Sequence, residues 1–159
     1  MKDFQVPTQA IRVELFLGDG VHIKGRVFLT HDSRHPGQTD QLMGVLNDAR
    51  DFLPFEVGDE RSARSLVLNK KHIVRVRVLE PMLNVIGDCP DAHLQQLGAP
   101  GETILHLSDG TQVAGQVVVD TPEAASRLVD KLNSADRFIP ILRDDGIDLV
   151  QRTHVLTLD

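Results

Sequence analysis

The feature that most constrains the fold of this chain is a repeat in its own sequence. Leu17-Gly18-Asp19-Gly20 with Gly25 returns as Leu107-Ser108-Asp109-Gly110 with Gly115. Leu46-Asn47 followed by Phe52-Leu53-Pro54 returns as Leu132-Asn133 followed by Phe138-Ile139-Pro140. His72-Ile73 returns as His154-Val155. The order is kept while the offset shrinks from 90 residues (17 to 107) to 86 (46 to 132) and 82 (72 to 154). Two copies of one unit are implied, the second with shorter loops. The reading divides the 159 residues into a first unit, 1–80, a linker, 81–101, and a second unit, 102–159. Units of roughly 60–70 residues bury little apolar area alone, so the two are expected to pack closely.

Local patterns assign the elements. Ile11, Val13, Leu15 and Leu17 alternate with polar or outward positions, the period of a half-buried strand. Asp19-Gly20 then predicts a hairpin turn, and Val21 to Leu29 a second strand. Gly25 and its twin Gly115 lie on the apolar side of that strand and predict a bend or a close backbone approach. A helix is expected next, with Leu42, Val45, Leu46 and Ala49 on one side. In the second copy Thr121 suits the N-cap, Pro122 and Glu123 the first turn, and Ala124, Ala125, Leu128, Val129 and Leu132 the apolar stripe. Asn47 and Asn133 fall where each helix should stop, in the left-handed conformation Asn tolerates. Pro54 and Pro140 predict an edge strand or a strand entrance after Phe52 and Phe138. Leu66–Leu68 and His72–Leu79 follow as strands around the tight turn Asn69-Lys70-Lys71, and Val155–Leu158 is the twin of the last. The linker carries one short expected helix, from Pro90 to Leu97.

Strand, Asp-Gly turn, bent strand with an internal Gly, and a late pair of strands joined by a tight turn: this pattern resembles the Sm/Lsm small barrels. Leu17, Asp19, Gly20, Gly25 and Val27 carry it, with Leu68-Asn69-Lys70-Lys71-His72-Ile73. In the second copy Leu107, Asp109, Gly110, Gly115 and Val117 do so, with Gln151-Arg152-Thr153-His154-Val155. The unit is also similar to uncharacterised bacterial proteins that share the Leu-Asn, Phe-Leu-Pro and Asn-Lys-x-His-Ile arrangement, a domain of unknown function. The resemblance implies a mainly β fold with α, of α+β class. It would hold two tandem Sm-like small β-barrels, each of about five strands with a helix inserted after the second. RNA binding is the activity the barrel resemblance would imply. One departure is that a helix stands where that family has a short Asp-x-Asn loop.

Composition narrows the function classes. Apolar residues at 41% and charged residues at 25% fit an ordinary globular protein. No apolar run approaches the ~20 residues of a membrane span, and the first residues form no apolar leader. One cysteine, Cys89, excludes an internal disulfide and suits a reducing cytoplasm. The net charge of −6 is unevenly shared: 11 Lys/Arg against 10 Asp/Glu over residues 11–80, and 5 against 10 over residues 102–159.

The candidate chemistry is thin. His31-Asp32-Ser33-Arg34-His35 has metal-like spacing, but Pro36-Gly37 breaks a helix there and no third ligand follows. Asp19 and Asp109 are explained by their turns. Gly18-Asp19-Gly20 lacks the Lys-Ser/Thr and the helix of a phosphate loop. Cys89 has no histidine partner in the sequence. No catalytic residue, cofactor or metal is therefore assigned. The expected function is a non-enzymatic, cytoplasmic interaction module, an adaptor or regulatory subunit, with protein partners that include a second copy as a homodimer. The alternative is an Sm-like oligonucleotide binder using Lys70, Lys71, Arg75 and Arg77 on the first unit. Gly25, Gly115, Asn47, Asn133, Phe52, Phe138, Pro54, Pro140, His72 and His154 are expected to be structural, with both phenylalanines buried as wedges.

Overall fold

The computed structural model describes residues 9–29, 38–58, 61–79, 102–117, 132–133 and 137–159. Strands β1 (Gln9–Leu17) and β2 (His22–Leu29) form the first hairpin, with Ile11, Val13 and Leu15 buried as the alternation requires. The Val21 N–H donates to Asp19 Oδ1 at 3.0 Å, and Gly20 takes a φ of 89°, so the Asp-Gly pair closes the turn. The second half repeats the device between β6 (Thr103–Leu107) and β7 (Gln112–Val117). There the Thr111 N–H donates to Asp109 Oδ1 at 2.9 Å and Gly110 has a φ of 86°.

Strands β3 (Phe52–Val57) and β4 (Arg64–Asn69) form the next hairpin, and β8 (Phe138–Arg143) and β9 (Gly146–Gln151) their counterparts. β3 meets β2 only at Gly25↔Val57 and Arg26↔Glu56, and β8 meets β7 only at Gln116↔Leu142 and Val117↔Ile141. Pro54 and Pro140 thus lie beyond those short ladders, where no N–H is needed, although both strands are interior to the sheet. The crossing brings the backbones close. A Cβ on Gly25 would collide with the Glu56 carbonyl oxygen and the Phe55 ring, and one on Gly115 with the Leu142 carbonyl oxygen and Ile141. A carbonyl cannot rotate away as a side chain can. Gly25→Ala and Gly115→Ala are therefore each expected to destabilise by about 3 kcal/mol, the upper part of the overpacking range. Chemical denaturation checks this; a midpoint like the parent's at either site would refute the close-approach account.

Helix α1 (Gln38–Asn47) lays Leu42 and Leu46 into the core. Its end is held by a lysine from far along the chain. Lys70, in the 3-10 turn Lys70–His72, is 1% exposed and donates Nζ to the Val45 carbonyl at 2.6 Å and to Asp48 at 2.7 Å. A cation there also complements the helix C-terminus. Arg50 beside Asp48, with Lys70, holds the Asp48 carboxyl well below the usual carboxylate range. Arg152, in the second 3-10 turn, Arg152–His154, does the matching work by donating to the Leu132 and Asn133 carbonyls at 3.1 and 2.8 Å. The last strand of each half follows its 3-10 turn: β5 (Ile73–Val78) and β10 (Val155–Leu158).

The expectation of two tandem small barrels, each with an inserted helix, in an α+β fold is overturned. The strands form one ten-stranded antiparallel sheet, not closed, in the order β10-β6-β7-β8-β9-β5-β1-β2-β3-β4. Among the described residues one α-helix, α1, accompanies it. The physical reason lies in the middle of the order. β9, the fourth strand of the second half, pairs with β5, the fifth of the first, so the halves share a ladder. Their cores lie at opposite faces of that seam. Phe138, Ile147 and Leu149 join Ile11, Leu42, Leu46 and Phe55 in one cluster, while Val74 of the first half joins Leu105, Val113, Ile139 and Val150 in the other. The strands at the seam are consequently buried on both sides, which no single period shows. The helix expected after Thr121, the linker with its Pro90–Leu97 helix, Cys89 and the His31–His35 stretch lie outside the described residues, apart from Leu132 and Asn133.

Candidate functional site

Among the described residues the seam is the best-built polar site, and it is structural chemistry. β5 and β9 pair as Arg75↔Val150, Val76↔Leu149 and Arg77↔Asp148. Asp148 is fully buried and accepts from Arg75 Nη1 at 2.9 Å, from Arg77 Nε at 3.1 Å and from Arg143 Nε at 3.0 Å. The Arg75 guanidinium also stands 3.9 Å over the Phe16 ring, a cation–π contact in a dry setting. Burial lowers the Arg75 pKa against the pull of Asp148, while the hydrogen bond to Asp148 raises that of Arg77. Both guanidiniums stay charged regardless. Asp148 carries no local signature in the sequence, because it stands inside an apolar run. The signal was comparative: its counterpart in the first half is Leu66.

A second set of contacts clasps the halves together. The Phe138 N–H donates to Asn47 Oδ1 at 2.6 Å, and Asn47 Nδ2 donates back to the Phe138 carbonyl at 3.3 Å. Asn47 does not adopt the left-handed conformation expected of a helix stop; among the described residues positive φ is confined to Gly20, Gly58 and Gly110. Its side chain instead reads the backbone of the other half as a strand would. Gln151 Nε2 adds bonds to the Lys70 and Ile73 carbonyls at 2.8 and 2.6 Å, and His154 Nε2 lies 2.8 Å from the Lys71 carbonyl. The Leu-Asn and Phe-x-Pro motifs therefore meet across the seam: the first unit's Leu46-Asn47 holds the second unit's Phe138.

The partners of these motifs in the opposite sense stand open. Phe138 is 1% exposed but Phe52 is 58% exposed, contrary to the expectation of two buried wedges. Asn133 is exposed where Asn47 is engaged, and His72 is exposed where His154 is half-buried. The sheet ends on β4 and β10, and among the described residues nothing pairs with their outer sides. Val67 of β4 is 73% exposed and Leu156 of β10 is 66% exposed. Apart from Arg64 at the start of β4, neither edge strand carries a charge, the guard that isolated edges normally have.

The four cations named as candidate nucleic-acid contacts do not form one free face. Lys70 is bonded to Val45 and Asp48, and Arg75 and Arg77 to Asp148. Lys71 alone of the four is exposed. Among the described residues no group of three or more His, Cys, Asp or Glu side chains is placed to hold a metal ion. Nor is any described helix long and apolar enough to cross a membrane. Comparisons with family models, with curated proteins and with solved structures found no match.

Proposed function

We propose that this chain is a non-enzymatic interaction module, an adaptor or regulatory subunit, that binds protein partners through its sheet edges. The observation that carries the reading is the pair of open terminal strands, β4 with a single charge at its start and β10 with none, with Val67 and Leu156 bare upon them. An open strand offers a row of N–H and C=O groups to a partner strand, and alternate side chains supply selectivity. The prominent buried polar cluster speaks against a catalytic reading: Asp148 and its arginines are spent on one another within the seam. The oligonucleotide alternative keeps only Lys71 as an unengaged member of its proposed set.

Capture experiments with the intact chain as bait test the proposal. Val67→Lys and Leu156→Lys, both at exposed positions, are expected to abolish capture through the corresponding edge while leaving the melting temperature within about a degree or two of the parent. Capture unaffected by either substitution would sink the edge-binding reading. RNA affinity that falls steeply with salt and with Lys71→Ala would favour the alternative instead.

A further inference from the structure

Building on the edge-binding function, we propose that the partner of these edges is a second copy of the same chain, joined head to tail. In this joint β10 of one copy pairs with β4 of the next, and Leu132-Asn133 of the first clasps Phe52 of the second.

The internal seam is the template. The β8–β9 ladder runs Phe138↔Gln151, Ile139↔Val150, Pro140↔Leu149, and the β3–β4 ladder runs Phe52↔Asn69, Leu53↔Leu68, Pro54↔Val67. The two hairpins thus share one register, which puts Phe52 in the place of Phe138, Val67 in that of Leu149 and Asn69 in that of Gln151. The receiving strand corresponds as well. β5 shifts register against β1 at Val74, between Leu17↔Ile73 and Phe16↔Arg75. β10 shifts against β6 at Leu156, between Leu107↔Val155 and His106↔Thr157. Leu156 therefore occupies the place of Val74. Inside the chain Phe138, Leu149 and Val74 are each 1% exposed or less; at the ends Phe52, Val67 and Leu156 are 58%, 73% and 66% exposed. Three large apolar side chains that the seam buries thus have bare counterparts at the free ends.

The ends are complementary, not self-complementary. β4 has the form of the strand that β5 receives, and β10 has the form of the strand that β9 meets. A contact of this kind is heterologous and extends to a ring or an open chain, depending on the rotation it imposes. Charge favours the same sense. Head-to-tail contact sets the acidic second unit, 5 Lys/Arg against 10 Asp/Glu, beside the near-neutral first, 11 against 10. Contact between two second units would oppose two acidic surfaces. One feature of the seam is not repeated: Leu66 and Thr157 stand where Asp148 and Arg75 stand inside the chain. The joint between copies therefore lacks the buried charge cluster and is the weaker of the two, so assembly is reversible and rises with concentration.

Light scattering and native mass spectrometry on the intact chain test this. The parent is expected at two or more multiples of 17.6 kDa at high concentration. Phe52→Asp with Val67→Asp blocks one end, and Leu156→Asp with Asn133→Ala blocks the other. Either pair should weaken self-association by at least about tenfold, since each removes a central apolar anchor. Unchanged far-ultraviolet circular dichroism and melting would show that these exposed positions leave the fold intact. Mixing the two variants restores one complete joint and no more. The mixture should yield a species of one chain of each kind and nothing larger. A parent that stays monomeric, an oligomer indifferent to both variants, or a mixture that fails to pair would each overturn the second-copy occupant. The edge-binding function fails separately: it survives a monomeric parent if Val67→Lys or Leu156→Lys still abolishes capture of another protein, and falls with it if capture is indifferent.

Discussion

Phe138→Ala is expected to cost about 3–5 kcal/mol, the range for removing a fully buried aromatic ring, while Phe52→Ala costs under about 0.5 kcal/mol as a surface change. The two residues are the same letter in the same repeated motif. Their difference is entirely one of position at the seam. Phe138 is 1% exposed and packs into the first unit's core beside Leu42 and Leu46, with its backbone held by Asn47. Phe52 is 58% exposed, and its counterpart clasp, Asn133, belongs to the opposite end of the molecule. A loss of that size is a large part of the stability of a domain this small. Because the ring joins one unit to the other, unfolding of Phe138→Ala should also lose cooperativity, with the second unit melting ahead of the first. Denaturant curves followed by two probes check both points. Equal costs at the two positions would refute the assignment of Phe138 to the seam.

The contrast between those phenylalanines also explains what could be read from the sequence and what could not. The Asp-Gly turns at 19–20 and 109–110 are local chemistry: an Asx hydrogen bond and a positive φ, both set by two neighbouring residues. Gly25 and Gly115 were recognisable as sites of close approach because an interior strand glycine has few other uses. The pairing of β5 with β9 had no such signature. Antiparallel partners some 70 positions apart, as Arg77 and Asp148 are, leave no spacing rule between them. Without that pairing each unit looked like a body that must close upon itself, hence the expectation of two barrels. The seam also made its own strands unreadable. β9, Gly-Ile-Asp-Leu-Val-Gln, is buried throughout, so it lacks the alternation that marks β1 as a strand. What the repeat could have shown is where its copies disagree. Asp148 against Leu66, and Arg75 against Thr157, are the positions at which one copy meets the other and its twin meets none.

Asp148→Ala is the second substitution expected to have a large effect, about 3–5 kcal/mol, because breaking a buried ionic cluster strands its remaining charges. Asp148 is fully buried and holds three guanidiniums, so its removal leaves Arg75, itself 6% exposed, with a ring face and only the weaker electrostatic pull of Asp109. Asp148→Asn keeps the shape but offers a neutral acceptor, and should recover only part of the loss, since hydrogen bonds to charged groups are roughly twice as strong. The cluster is a poor source of net stability, however, because desolvating four charges offsets most of their attraction. Its use is register: Asp148 opposite Arg77, and within reach of Arg75, fits one alignment of β5 on β9, and a slip by one residue would turn the carboxylate to the apolar face. The decisive variant takes its residues from the other copy. Asp148→Leu together with Arg75→Thr installs at the seam what Leu66 and Thr157 supply at the free ends. Stability should return to within about 1–2 kcal/mol of the parent, far above the Asp148→Ala single variant, because the buried Arg75 is removed with its partner, Arg143 keeps Asp145, and Arg77 reaches solvent. Fidelity should suffer instead, with exchange of β9 between chains and mixed oligomers in native mass spectra. If the double variant is as unstable as Asp148→Ala, the arginines Arg77 and Arg143 alone depend on the carboxylate and Arg75 does not. If it is stable and still uniform in assembly, the cluster has no part in choosing the register.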